Sequence, residues 1–172
     1  MTFSRRAALA ATFAPFLRAQ TPAPFAPGQP VPAFRLQAHD GSWIALDDLR
    51  GSLVLLNFWA TWCAPCRREI PDLIQIHKEF KPRGVHLLGI SVDESGWRAV
   101  RPFVAQYQVN YPVLLADRDT KRRYRPGIEI LPFTLLLDRQ GRVLASFNTA
   151  LDEARFRRLL NAALDPSNES KD

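Results

Sequence analysis

The first regular pattern along the chain is a series of short, almost uninterrupted apolar runs. Such runs are typical of strands that are covered on both faces of a sheet. They predict two central strands, at residues 53–58 and 85–92, and a short strand at 113–116. Two more runs, Phe133–Leu137 and Arg142–Phe147, flank a turn that ends in glycine, and this arrangement predicts a β-hairpin.

Between and after these runs, apolar residues recur with the spacing of an α-helix. The pattern predicts helices over Ala64–Phe80, over the region 97–107 and over Asp152–Leu164, with Asp152 as the N-cap of the last one. A shorter helix is expected at 119–125. Parallel βαβ units that are followed by an antiparallel hairpin and a helix predict an α/β protein with a central mixed sheet.

Residues 1–19 do not fit this pattern. Arg5 and Arg6 precede the apolar stretch Ala7–Leu17, and the small residue Ala19 follows, which is the order of a secretory signal peptide. The stretch is too short to cross a bilayer comfortably, and a retained N-terminal anchor or an amphipathic first helix is the alternative. The paired arginines leave the general secretory (Sec) and twin-arginine routes open. We therefore expect a periplasmic or otherwise exported bacterial protein. If the N-terminal segment is retained as an anchor, it would be the protein's only contact with the membrane.

The rest of the chain divides into three parts. Residues 20–34 are rich in proline and predict an extended linker, residues 35–165 form the folded domain, and residues 166–172 are a polar tail. Removal of the signal peptide would leave 20 basic and 17 acidic residues and lower the formal net charge from +6 to +3. An excess this small does not indicate a nucleic-acid partner. The densest basic run, Lys121–Arg125, is interpreted as a solvated helix face.

The chemistry-bearing residues are two cysteines, Cys63 and Cys66, which lie three positions apart. A bridge this short would restrict the unfolded chain little, so in an exported protein the pair indicates redox work. Cys63 falls where a strand ends and a helix begins, and there free N–H groups and the helix dipole favour a thiolate. Pro65 stiffens the turn that brings Cys66 within reach. The pair predicts that Cys63 attacks a substrate disulfide and that Cys66 resolves the mixed disulfide.

The segment Val54–Cys66 (VLLNFWATWCAPC) resembles the active-site strand and turn of the thioredoxin superfamily. More narrowly, it is similar to the TlpA/ResA-like periplasmic disulfide reductases, and the similarity covers roughly residues 28–164. The resemblance implies a thioredoxin-like three-layer α/β fold, a central mixed sheet flanked by helices, with a βα insertion at about 93–116. It also implies disulfide-bonded protein substrates, a membrane thiol electron donor and cytochrome c maturation as one client process.

The resemblance further implies a substrate groove beside the cysteines. Pro132 matches the position of a cis proline in the superfamily, and the backbone of Leu131 would pair with a substrate strand. A trans proline that merely opens the following strand is the alternative. Trp62 and Pro65 are expected to form another part of the groove. Phe133 stands where the family usually has a small polar residue, so the shape of the groove is expected to differ.

Glu69 is a candidate for proton transfer because it lies one helical turn beyond Cys66, where related reductases carry an acid. Thioredoxin instead has a buried acid in the strand before the cysteines, but Asn57 occupies that position here and an amide cannot take up a proton. Glu69 could accept the proton of Cys66 during resolution. The alternative is an exposed glutamate that the helix dipole favours.

Two other function classes compete with the reductase. A peroxiredoxin-like peroxidase usually has a threonine three residues before a single reactive cysteine, whereas Ala60 holds that place here and the cysteines are paired. A copper-binding module could use both sulfurs as soft ligands but lacks an obvious third ligand. The histidines His39, His77 and His86 are scattered, so neither a metal nor another cofactor is expected.

Overall fold

The computed structural model describes residues 25–150 and 152–165. The predicted signal peptide, residues 20–24 of the predicted linker and the polar tail lie outside the described residues. Within those ranges the chain forms seven strands and four α-helices. Their bounds are β1 Arg35–Gln37, β2 Trp43–Ala45, β3 Leu53–Trp59, α1 Ala64–Phe80, β4 Val85–Ser91, α2 Trp97–Gln106, β5 Val113–Leu115, α3 Arg118–Ile128, β6 Phe133–Leu137, β7 Val143–Phe147 and α4 Glu153–Leu164.

The main sheet has five strands in the order β5-β4-β3-β6-β7. The β3–β4 and β4–β5 pairs are parallel, while β3–β6 and β6–β7 are antiparallel. The predicted α/β fold with a mixed central sheet is therefore confirmed. The predicted insertion contains α2 and β5 and adds an edge strand, and the short helix expected at 119–125 is longer, Arg118–Ile128.

Strand β3 lies at the centre of the sheet and is buried along its whole length. Its side chains alternate between two apolar clusters: Leu53 and Leu55 belong to one, and Val54, Leu56 and Phe58 belong to the other. This alternation is the expected geometry of a strand with both faces covered. It explains why the sequence of β3 is an unbroken apolar run, and it fixes the end of the strand where the cysteines follow.

The prediction of an extended linker over residues 20–34 is wrong for residues 25–34. Phe25 and Phe34 are buried in the same cluster as the second face of β3. The ring of Phe25 stacks on Tyr124 of α3, with the ring centroids 5.5 Å apart. Proline removes backbone donors but does not prevent the apolar side chains between prolines from packing, so this segment covers the sheet instead of spacing the domain from the N-terminus.

His77 of α1 gives the fold an acid-sensitive position. Its side chain is buried, and its Nδ1 has no hydrogen-bond partner among the described residues. Burial, followed by the nearby positive charges of Lys81 and His86, lowers the pKa of the His77 imidazole. The folded protein therefore binds a proton at His77 less readily than the unfolded chain does.

We expect this histidine to make stability depend on pH in one direction. The folding free energy should be fully retained above about pH 6.5, the ordinary histidine pKa, and decline as the pH falls towards the lower folded-state pKa, by at most about 1.4 kcal/mol per pH unit. Replacing His77 with leucine should remove that part of the decline. Urea unfolding at about pH 8 and pH 5.5 measures it, and an equal decline in H77L and wild type would contradict the assignment.

Candidate active site

The two cysteines lie at the start of α1, directly after the turn that follows β3. Cys63 is the N-cap residue, and its Sγ accepts a hydrogen bond from the backbone N–H of Cys66 at 3.3 Å. Pro65 lies in the first turn of the helix, where a missing N–H costs little. The two sulfurs are joined in a disulfide, with the Cα atoms 5.3 Å apart. The helix start therefore directs a backbone N–H at the sulfur of Cys63.

The two cysteines differ in their exposure to solvent. Cys66 is completely buried, whereas Cys63 retains 5% of its surface and lines an open groove of about 660 Å³. Trp62 beside it is 70% exposed. A thiol or disulfide of another molecule that approaches from solvent therefore contacts Cys63 first. Cys66 can react only with a group that is already bound at Cys63.

Three of the four groove residues expected from the sequence line this groove, namely Trp62, Pro65 and Leu131. Pro132 is buried and does not line it, but the Leu131–Pro132 peptide bond is cis, so the alternative of a trans proline is wrong. The groove is completed by residues that sequence reasoning did not single out, which come from the segment after β4 and from the end of α3: Val92, Asp93, Glu94, Ser95, Ile128 and Glu129.

Phe133, which stands where the family usually has a small polar residue, does not line the groove itself. Phe133 is buried and belongs to the apolar cluster on the far face of the sheet, with its ring 6.0 Å from that of Phe58. As the first residue of β6 it shares a sheet face with Leu135 and Leu137, which belong to the same cluster, and it does not line the groove. Gly127 of α3 leaves the space that the ring occupies.

Glu69 is buried, with 2% of its surface exposed, so the alternative of a solvent-exposed glutamate is wrong. Its Oε1 accepts a hydrogen bond of 2.7 Å from Nδ2 of Asn57, which also donates to Oγ1 of Thr134 at 3.0 Å. Burial, and next the negative charge of Glu69, raise the pKa of the Tyr111 hydroxyl, which therefore stays protonated. The amide that sequence analysis noted only as unable to accept a proton is thus the group that holds the acid.

Asp93 is a site residue that sequence analysis missed. It follows β4, is 4% exposed, and accepts hydrogen bonds from the backbone N–H and the hydroxyl of Thr61, two residues before Cys63. The available signal was its position at the carboxyl end of a parallel strand next to β3, where side chains of α/β proteins meet ligands.

Among residues 25–150 and 152–165, no three side chains of histidine, cysteine, aspartate or glutamate cluster in a way that could hold a metal ion. Among the helices of residues 25–150 and 152–165, none combines the length and the apolar character needed to cross a bilayer.

The comparisons with known proteins agree on one family. The AhpC/TSA family model matches residues 27–159. Thiol-disulfide oxidoreductase ResA of Bacillus subtilis is 37% identical over 136 residues, which are 78% of this chain and 74% of that protein. A thiol:disulfide interchange protein of the thioredoxin family from Chlorobium tepidum superposes with a TM-score of 0.73 at 32% identity, covering 81% of this chain and 98% of that one.

A third similar protein is a secreted thiol-disulfide isomerase from Corynebacterium glutamicum. It has a TM-score of 0.66 and 31% identity, with 78% of this chain and 83% of that chain covered. These matches confirm the resemblance drawn from the active-site segment, and they include the stretch that carries the paired cysteines. The chain belongs to the AhpC/TSA family and is a thiol-disulfide oxidoreductase with a thioredoxin-like fold, related to ResA.

Proposed function

We propose that this protein is an exported disulfide reductase that works by dithiol exchange at Cys63 and Cys66. The observation that supports this proposal is that Cys63, at the start of α1, lines the open groove, whereas Cys66 is completely buried. In the reduced protein the Cys63 thiolate attacks one sulfur of a substrate disulfide, that bond breaks, and a mixed disulfide forms. Cys66 then attacks the sulfur of Cys63, which releases the substrate as a dithiol and leaves the enzyme with the disulfide.

Glu69 is proposed as the proton acceptor for Cys66 in the second step. The Cys66 thiol must lose its proton before it attacks, and bulk water does not reach a completely buried sulfur. Glu69 is one helical turn away and is itself buried, and its carboxyl is held by the amide of Asn57. A fixed carboxyl beside a buried thiol can take up the proton and pass it on after the substrate has left.

Replacing Glu69 with glutamine should slow release of the substrate by about 10²-fold and flatten its dependence on pH, because the amide cannot accept a proton. Glutamine has nearly the same size and can still accept the hydrogen bond from Asn57. The rate of resolution is measured by stopped flow between pH 5 and 9. The matched control is Glu79→Gln, an exposed glutamate at the far end of α1. An unchanged pH–rate profile in E69Q would remove Glu69 from the mechanism.

The groove is proposed to hold an extended segment of the substrate. Leu131 lines it together with Cys63, and its backbone could pair with a substrate strand while Trp62 and Pro65 contact the side chains. This mode of binding depends on the backbone of the substrate more than on its side chains. It therefore suits proteins whose disulfide lies in an extended or locally unfolded stretch.

Export and the client proteins belong to the same proposal. The basic and apolar order of residues 1–19 suits a signal peptide or a retained anchor, through the Sec or the twin-arginine route, and one structural relative is a secreted protein. The electron donor would then be a membrane thiol protein. Apocytochrome c is a fitting client, since its two haem-attachment cysteines lie in a Cys-x-x-Cys-His motif and must be reduced before haem is joined. Fractionation of cells that produce the tagged full chain tests the location.

The function is tested by three assays run side by side. With dithiothreitol as the electron source, the protein should accelerate the reduction of insulin, consume hydrogen peroxide no faster than free cysteine does, and bind copper no more tightly than a small dithiol. Peroxide consumption that exceeds disulfide reduction would favour the peroxidase, for which Ala60 stands in place of the usual threonine. Tight copper binding without reductase activity would favour the metal-handling module.

A further inference from the structure

Asp93 is held by donors on both of its carboxyl oxygens. Oδ1 accepts from the hydroxyl of Thr61 at 2.6 Å, and Oδ2 accepts from the Thr61 backbone N–H at 3.0 Å and from the hydroxyl of Ser91 at 2.8 Å. The Ser91 hydroxyl in turn accepts from the Asp93 backbone N–H at 3.1 Å, so its own hydrogen is directed at the carboxyl group. Three hydrogen bonds from neighbouring N–H and O–H groups therefore hold the carboxyl group of Asp93 in place.

The carboxylate is buried and belongs to a residue of the groove that Cys63 also lines. Asp93 is 4% exposed, and it lines the same groove as Cys63. In the described part of the chain no arginine, lysine or histidine forms an ion pair with it. A negative charge in such a place is screened little by solvent, so it acts on other charges in the groove.

Two effects of Asp93 on Cys63 have the same sign. The charge repels a thiolate on Cys63, and the carboxylate engages the N–H and O–H of Thr61, two donors close to that sulfur in the chain. Both destabilise the reduced, ionised form of the site and leave the uncharged disulfide unaffected. They therefore oppose the helix start, which favours the thiolate.

We propose that Asp93 is a positioning residue that fixes the turn before Cys63 and makes the Cys63–Cys66 pair a stronger reductant. The proposal rests on the dithiol exchange proposed above and adds to it what sets the direction of the reaction. Through its bonds to Thr61 the residue holds the turn that carries Cys63, and through its charge it lowers the reduction potential of the pair.

The test is equilibration of the pair with glutathione in wild type and Asp93→Asn. In this reaction the Cys63–Cys66 bond breaks while two glutathione thiols are oxidised to one glutathione disulfide, so the ratio of the two forms reports the potential. In D93N we expect the equilibrium to shift roughly tenfold towards the dithiol, which corresponds to about 30 mV. The Cys63 thiol should also react faster with iodoacetamide near pH 6, because more of it is ionised.

Two further variants keep the test decisive. Asp48→Asn removes one exposed carboxylate from the turn after β2 and should leave the glutathione equilibrium unchanged. Ser91→Ala retains the charge of Asp93 but removes one donor to it, so the equilibrium should shift the opposite way, towards the disulfide. This second variant also replaces D93N if the asparagine variant does not fold, as judged by circular dichroism.

The possible results distinguish a failure of the proposed role of Asp93 from a failure of the proposed dithiol exchange. If wild type does not exchange with glutathione at all, the proposed dithiol exchange fails. If wild type exchanges but D93N folds and has the wild-type equilibrium, or S91A shifts towards the dithiol, the role of Asp93 is overturned while the exchange chemistry stands.

Discussion

Cys66→Ser should still attack a disulfide but fail to release it, and the protein should accumulate as a covalent complex with its substrate. Cys63 keeps its place at the start of α1, where it meets the groove, so the first exchange step remains open. The serine that replaces the buried Cys66 cannot displace the substrate, because a hydroxyl is a far weaker nucleophile than a thiolate. Insulin reduction should fall to the background rate, while mass spectrometry detects the mixed disulfide at residue 63.

Cys63→Ser is the matched variant, and it should form no covalent complex. Its remaining thiol, Cys66, is completely buried and out of reach of a protein disulfide. The same variants trap clients from cell extracts, because only C66S retains them on a non-reducing gel. Equal trapping by C63S and C66S would show that the two sulfurs are interchangeable, which contradicts the division of labour proposed here.

The strands of the main sheet, the helices and the cysteine pair could be predicted from the sequence because all of them are governed by local patterns, whereas the short strands β1 and β2 were not predicted. An apolar run covered on both faces, as in β3, has a signature that depends only on its own residues. A Cys-x-x-Cys motif between a strand and a helix likewise fixes its own geometry through the helix start. These features do not require knowledge of what packs against them.

The parts that the sequence left open depend on contacts between distant segments. Whether Glu69 is exposed or buried is decided by Asn57 and Thr134, which lie 12 residues before it and 65 after it. The role of Asp93 depends on Thr61, 32 residues earlier. The packing of Phe25 against α3 likewise needed knowledge of which sheet face was uncovered. The spacing of apolar residues within one segment does not indicate which residues of a distant segment pack against it or bond to it.

Phe133 stands where the family usually has a small polar residue, but the sequence did not indicate where the larger ring would lie. The larger ring points away from the groove and fills space above Gly127. A substitution that fits the family pattern less well is therefore accommodated by a second residue six positions earlier in the chain. The two residues pack against each other, so the effects of substituting them on the free energy of unfolding should be coupled.

Gly127→Ala should destabilise the protein strongly, although alanine is the better helix former. In a free helix alanine would be favoured over glycine by about 1 kcal/mol. Here a Cβ at residue 127 would overlap Cε1 of Phe133, and that ring is buried between Phe58 and Phe25. The ring cannot swing away, so α3 or β6 must shift. We expect a loss of about 3 kcal/mol or more in urea unfolding, at the upper end for overpacked cores.

The cost of Gly127→Ala should depend on the ring of Phe133, and a double-mutant cycle with Phe133→Leu measures that dependence. Phe133→Leu alone should destabilise the protein by creating a void, but in the G127A background the smaller side chain makes room for the new methyl group. The double variant should therefore be more stable than the sum of the single effects by more than about 1 kcal/mol. Because only Pro132 separates β6 from the groove residue Leu131, G127A should also slow insulin reduction, and F133L should restore part of the rate. Additive energies in this cycle would show that Gly127 is required for its backbone alone and that the ring moves freely.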